Sequence, residues 1–340
     1  MAVSLVLPLA GPHGEPVDLW RTLVSHGIAA LPPAELDESA RTLRTTLPLG
    51  GAKPRTIVIS EDGGGAARVE VLGPAPPAAA ADELRATVHV MLNLDEDLSG
   101  FYRMAAKDER LAWVAEGAGR MLRSPTVFED VVKTICTTNC AWSATVRMVT
   151  VLVEQLGERS AGGYGSAFPT PAAMAAAPEP FYRDAVRAGY RGAYLRGLAT
   201  AVAAGEVDLE VLRLAPPDEL PDDEVATRLL ALPGVGPYAA AHVMMLLGRH
   251  SRLILDSWTR PTYARVNGRK AADATILRRF RRYGRYAGLA FWLLLTHDWV
   301  AAQTASTTAV TPAERVTGSA PSPEAAAQAG EAEGEAMASP

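Results

Sequence analysis

Asp256 is the residue whose setting promises chemistry. It follows directly on the apolar run Leu253-Ile254-Leu255. A carboxylate beside such a run is poorly solvated and acts electrostatically where water is scarce. It can stabilise a positive charge that develops nearby and can orient or deprotonate a water. Its ordinary alternative is a helix N-cap. Leu255-Asp256-Ser257-Trp258 suits a helix start at which the Asp accepts N–H bonds. The two roles are compatible. Twenty residues before Asp256, Leu232-Pro233-Gly234-Val235-Gly236 ends, and Pro237 follows. Pro233 and Gly234 interrupt a helix. Gly234 and Gly236 permit a tight turn with uncovered N–H groups, and Pro237 suits the first position of a new helix. A glycine turn feeding a helix N-terminus is a place to hold an anion, above all a phosphate.

The elements that position these groups read as helices. Val225 to Gly248 is one apolar helix, a break and a second apolar helix. Upstream, Ser124-Pro125-Thr126 opens a helix that Thr126 can cap, with Glu129 placed to complete a capping box. Phe128, Val131, Val132 and Ile135 recur at helical spacing and face a core. Thr137-Thr138-Asn139-Cys140-Ala141-Trp142 interrupts before another helix over Thr145 to Leu156. Three short helical segments are predicted at His89–Leu94, Gly100–Ala106 and Arg110–Leu122. Earlier still, Thr56–Ser60 and Arg68–Leu72 flank Glu61-Asp62-Gly63-Gly64-Gly65, which predicts a β-hairpin. Residues 157–169 read as a loop, and a short helix starts at Phe168-Pro169-Thr170-Pro171.

Charge divides the chain. The net charge is −5. From Val225 to Val300, however, twelve Arg or Lys stand against three Asp or Glu, which leaves the remainder acidic. One basic stretch in an acidic chain is the asymmetry of a face that meets nucleic acid. Arg269–Arg285 alone holds seven basic residues against Asp273. Ile276, Leu277 and Phe280 break the charge at helix-like spacing, so an amphipathic helix with a basic face is expected there. From Gln303 the chain is Ala, Thr, Ser, Pro, Gly and Glu, with one Arg against five Glu, a composition that predicts a disordered acidic tail.

The hairpin, the helix after it and an Asp at this distance resemble the helix-hairpin-helix DNA glycosylases, in particular the 3-methyladenine DNA glycosylase II and 8-oxoguanine DNA glycosylase group. Phe128 to Trp142 is similar to the same group, and so is Gly189-Tyr190-Arg191-Gly192-Ala193-Tyr194-Leu195. The resemblance covers about residues 85–300. It implies a mainly α fold: a helix-hairpin-helix glycosylase bundle at 85–302, with the hairpin at 225–248 and a catalytic loop at 250–260. A small α+β N-terminal domain at 1–84 and the tail at 303–340 complete the expected organisation. Leu232, Gly234, Val235 and Gly236 would grip the DNA backbone, and Asp256 would be the catalytic carboxylate. Tyr238, Asn139 and Trp142 would lie on the lesion side.

Each of these has a plainer reading. Asn139 reads equally as a helix-terminal turn residue. For Trp142 packing is preferred to stacking on a base. Tyr238 either stacks on an extruded base or caps the core. Arg260, Arg278 and Arg282 are candidate phosphate contacts. Arg191 and Tyr194 are candidates too, but a solvent-facing Arg and a packed Tyr are preferred.

Relatives that also cut the strand carry a Lys two residues after the second hairpin glycine. Here that position is Tyr238. The four lysines, Lys53, Lys107, Lys133 and Lys270, all lie outside the hairpin, which points to a monofunctional enzyme. A displaced lyase Lys, a non-catalytic hairpin protein and an 8-oxoguanine-type enzyme are the alternatives. Among substrates, alkylated bases are preferred. Cys136 and Cys140 are the only cysteines. They cannot supply the four thiolates of an Fe–S cluster and read as core residues. No metal and no cofactor are expected. The six His show no ligand spacing, and His242, His250 and His297 read as structural. Double-stranded DNA is the expected partner, bound by a monomer. No apolar run reaches the ~18 residues of a membrane span, and Val3–Leu9 lacks the basic flank of a signal peptide. A cytoplasmic protein is therefore expected.

Overall fold

The computed structural model of the chain describes residues 3–299. The acidic segment from 303 to 340 lies outside them. Five strands form one antiparallel sheet in the order β1-β5-β4-β3-β2: β1 (Val3–Pro8), β2 (Glu35–Asp37), β3 (Thr42–Leu49), β4 (Ala52–Glu61) and β5 (Ala66–Leu72). The β4–β5 pair, in register from Thr56↔Leu72 to Glu61↔Ala67, is the hairpin that the two β-type runs predict. Ala67, Val69 and Val71 are buried while Arg68 and Glu70 between them are exposed. That alternation is the period of a sheet covered on one face. Two helices, α1 (Leu19–Leu23) and α2 (Ala78–Met91), pack on its strands. The helix expected at His89–Leu94 is the end of this longer α2, which stops at Met91.

Contacts divide the chain into two compact units. The first takes in residues up to 99 and from 116 to 249. The second takes in 100–115 and the residues from 250 onward. Helix α3 (Ser99–Ala105) and a 3-10 turn at Ala112–Glu116 stand where the chain passes between them. The helix expected over Arg110–Leu122 does not form beyond that turn. From Gly117 the backbone bonds to distant partners instead of to itself. Gly117 O accepts from Asp18 N, Leu122 N donates to Ser25 Oγ, and Arg123 N donates to Met91 O.

In the first unit, α4 (Val127–Thr137) sits inside the helical core. Thr126 caps it, accepting the Glu129 N–H at 3.2 Å. Phe128, Val131, Val132 and Ile135 are buried as their spacing predicts. Its polar side is dry as well: Glu129, Asp130 and Lys133 are each 3% exposed. Buried charges need partners. The Glu129 carboxylate pairs with Lys133 Nζ at 2.7 Å, and Lys133 also donates to Leu31 O. Asp130 accepts the Ser124 N–H. Helix α5 (Trp142–Leu156) starts three residues earlier than its sequence pattern suggests. The loop after it runs along the sheet, with Ala161 N bonded to Pro54 O and Thr56 Oγ1 to Ser160 Oγ. Then come the expected short helix α6 (Pro171–Ala176), which Thr170 caps, α7 (Arg191–Ala203), α8 (Val211–Leu214), α9 (Asp222–Leu230) and α10 (Pro237–Leu246). Helix α10 is apolar on nearly every face and buried from Ala239 to Leu246, as befits a central helix.

The second unit adds α11 (Thr259–Asn267), α12 (Asp273–Phe280) and α13 (Ala287–Thr296). Tyr263, Phe280 and Phe291 meet ring against ring in its core, and Phe101 of α3 lies 5.3 Å from Tyr286. The basic helix expected over Arg269–Arg285 is shorter than its charge pattern. It ends at Phe280 and continues as a 3-10 stretch, kinked at Gly284 (φ 54°, ψ −125°). Ile276 and Phe280 face the core, but Leu277 is exposed. Among the described residues no helix is long and apolar enough to cross a membrane.

Candidate functional site

The hairpin of the first unit is α9, a turn over residues 231–236, and α10. Asp222, Asp223 and Glu224 occupy the first turn of α9, where acids suit the helix dipole. Val235 is buried and anchors the turn, and its N–H donates to Leu232 O at 3.2 Å. Leu232 is half-buried. The two glycines differ. Gly234 has φ +79°, and a Cβ there would come 2.8 Å from the Tyr194 ring. Gly236 is the N-cap of α10 with φ −95° and open space around it. Only Gly234 needs the left-handed conformation. The N–H groups of Gly234 and Gly236 make no hydrogen bond among the described residues. Pro237 follows at the first helical position. The result is a pair of backbone donors at the positive end of a buried helix, an arrangement that can hold an anion.

A chain of aromatic contacts joins this turn to the loop after α4. Tyr194 packs on Gly234 and meets Tyr190 edge-on at 5.8 Å. Tyr190 is exposed, and its Oη accepts the Asn139 Nδ2 at 3.3 Å. Asn139 is exposed with φ +46°. It therefore fills the turn role, and its amide stands at the surface beside Tyr190. Arg191 overturns the preferred sequence reading, since it does not face solvent. It is 6% exposed, with its guanidinium on the Thr138 carbonyl and hydroxyl and on Asn139 O. Those carbonyls belong to the end of α4, where a cation and a donor are both needed. Nothing in the sequence marked this, because the partners lie more than fifty residues away.

Tyr238 is half-buried against the helical core, with its Oη 3.3 Å from Thr137 Oγ1 and its ring 6.0 Å from His242. Trp142 also packs on the core, and a Cβ at Gly27 would touch its ring at 3.6 Å. Behind them His242 and His26 meet edge-on at 5.7 Å, both buried. Burial pushes His26 down to about 4 and His242 down to about 3, so both rings are neutral. Cys136 is buried, which pushes its thiol up to about 12.

In the second unit Asp256 is half-buried at the turn that feeds α11. Its Oδ1 accepts the N–H of Trp258 at 2.9 Å and of Thr259 at 2.6 Å. The N–H bonds expected of a helix-start Asp are therefore present, although Asp256 lies two residues ahead of Trp258, the N-cap of α11. The segment before it is tied to α13 by the Gly288 N–H on His250 O at 2.7 Å. Of the three Arg candidates, Arg260 forms a two-point pair with Asp273, at 2.9 and 3.0 Å. Arg282 pairs with Asp108 beside Tyr283. Arg278 is exposed and has no polar partner among the described residues. The same residues hold no cluster of three His, Cys, Asp or Glu fit for a metal.

No protein-family model matches the chain, and no curated protein matches it either. Solved structures do. The 3-methyladenine DNA glycosylase from Archaeoglobus fulgidus superposes with a TM-score of 0.66 at 21% identity, covering 87% of this chain and 98% of its own. The 8-oxoguanine glycosylase/lyase of Clostridium acetobutylicum in its apo form gives 0.66 at 18% identity, covering 87% and 97%. The same enzyme in complex with double-stranded DNA containing cytosine opposite 8-oxoguanine gives 0.65 at 18% identity, covering 87% and 97%. This chain has the fold of the helix-hairpin-helix DNA glycosylases.

Proposed function

We propose that the protein is a monofunctional DNA glycosylase that hydrolyses the bond between a damaged base and its sugar in duplex DNA. The observation that carries this reading is Asp256: a carboxylate held by two backbone N–H groups at a helix start, with its other oxygen unbonded among the described residues. The C1′–N bond breaks with its electron pair leaving on the base, and positive charge develops on the sugar. Asp256 stabilises that charge and orients or deprotonates the water that adds to C1′. The products are the free base and an abasic site. The Gly234 and Gly236 amides hold a backbone phosphate, and the exposed arginines of α12 and the turn after it add charge.

Hydrolysis without strand cleavage is supported by the nucleophiles present. Tyr238 occupies the sequence position, two residues after the second hairpin glycine, at which strand-cutting relatives carry their Lys. Lys133 is buried and paired with Glu129. Alkylated purines are the preferred substrates: they carry positive charge, leave readily, and suit the electron-rich ring of Tyr238. An 8-oxoguanine-type activity is the second reading, favoured by the exposed amide of Asn139.

The test is base release from a panel of duplexes, each bearing one alkylated, oxidised or deaminated base. Wild type is expected to release alkylated purines and to leave strand cuts only after hot alkali. Asp256→Asn should bind the same duplex yet release base at least about 10²-fold more slowly. Cuts without alkali would reveal a lyase amine. Binding without release from any duplex would mean a non-catalytic protein.

A further inference from the structure

Asp256 and Thr259 hold each other. The Thr259 N–H donates to Asp256 Oδ1 at 2.6 Å, and the Asp256 N–H donates to Thr259 Oγ1 at 2.8 Å. Thr259 is 0% exposed, so water does not compete for its hydroxyl. A carboxylate has two oxygens and about four acceptor sites. Here Oδ1 takes both backbone bonds, from Trp258 and Thr259, and Oδ2 takes none among the described residues. Arg260, the nearest arginine along the helix, does not claim Oδ2. Its planar fork is spent on Asp273. The residue is thus fixed at both ends, backbone by hydroxyl and side chain by amide, with one bare oxygen.

We propose that Thr259 is a positioning residue for the reaction and that Oδ2 of Asp256 is the oxygen presented to the sugar. The inference rests on the glycosylase reading above. A carboxylate that must stabilise charge at one carbon gains from a fixed direction, because misplacement by about 1 Å can cost 10²-fold in rate. Without the Thr259 hydroxyl the Asp256 backbone loses its tether. The turn from 256 to 259 can then open, and Oδ1 and Oδ2 exchange roles.

Thr259→Val removes the hydroxyl at nearly constant volume, and Thr259→Ser keeps it. Both are measured with wild type and Asp256→Asn on duplex DNA treated with a methylating agent, by single-turnover base release and by binding anisotropy. Thr259→Val is expected to slow release about 10- to 100-fold with Kd changed less than about threefold. Thr259→Ser should restore at least about a third of the wild-type rate. A Thr259→Val rate equal to wild type overturns the proposal. So does equal loss in Ser and Val variants, which would make Thr259 a packing residue only. Absence of release by wild type would instead sink the glycosylase reading, and the proposal with it. A second measurement requires no variant. Hydrogen exchange at the Asp256 amide of the wild-type protein should be at least about tenfold slower than at Ser257, and equal exchange overturns the tether.

Discussion

Arg191 closes the end of α4 by placing its guanidinium 2.8 Å from the carbonyl oxygen of Asn139, fifty-two residues earlier in the chain. The same group bonds the Thr138 carbonyl and stacks over the Tyr190 ring. Removing it leaves the part-buried carbonyls of Thr138 and Asn139 without this partner, which costs about 1–3 kcal/mol. Arg191→Ala should therefore lower the urea midpoint strongly, and Arg191→Lys should recover little, because an ammonium cannot reproduce the fork. A midpoint unchanged in Arg191→Ala would return the residue to the surface role that its sequence suggests.

The buried imidazoles set an acid limit. His26 at about 4 and His242 at about 3 both lie below the 6.5 of a free imidazole. The unfolded chain thus takes up these protons first. Their contribution to stability is complete above pH 6.5 and is lost as pH falls towards 4. Asp130 works in the opposite direction. Burial raises it from 3.8 to about 6, so the folded state takes its proton first and gains as pH falls from 6 to 4. Glu129 and Lys133 lie beside this group and hold opposite charges. Each imidazole removes about 1.4 kcal/mol per pH unit across that window. Unfolding of wild type and His242→Gln between pH 4 and 7 should show slopes differing by about that amount; parallel slopes would mean that His242 takes up its proton alike in the folded and unfolded chain.

The two hairpin glycines should separate folding from DNA binding. Gly234→Ala places a Cβ on the Tyr194 ring at φ +79°, and the conformation alone costs about 1–2 kcal/mol. Both stability and DNA affinity should fall. Gly236→Ala meets no atom within 4 Å and needs no positive φ. Its stability should hold while DNA affinity drops, because the new methyl stands where a phosphate would approach. Equal DNA affinity in Gly236→Ala, measured by anisotropy, would remove the turn from the proposed interface.

Among the arginines, Arg278 should matter more for DNA than Arg260. Arg278→Ala is expected to lower the slope of log affinity against log salt by about one, with little change in preference for any base. Arg260 already holds Asp273 in a two-point pair, so its loss frees a carboxylate as well as removing a cation. Titrations of each variant with undamaged duplex at several salt concentrations would rank them.

The sequence by itself determined the local features. Pro233, Gly234 and Pro237 break and restart a helix through their own backbone limits, so the hairpin was legible without any contact. Thr126 and Asp256 announce helix starts by the same kind of local bond, and the β4–β5 hairpin follows from alternation around a glycine turn. The resemblance in the hairpin and in Asp256 pointed to the fold that the solved structures then matched. Tertiary structure decided what depends on distant partners. Residues 117–123 carry a helical pattern but give their backbone bonds to Asp18, Ser25 and Met91. Arg191 has the composition of a surface residue but serves the carbonyls of another helix. Glu129 reads in the sequence as a capping-box partner, but its carboxylate is buried in a pair with Lys133 one turn on. Short-range rules act through bonds within four or five residues, which a sequence displays. Burial, and the charges it neutralises or pairs, is fixed only when remote segments close on one another.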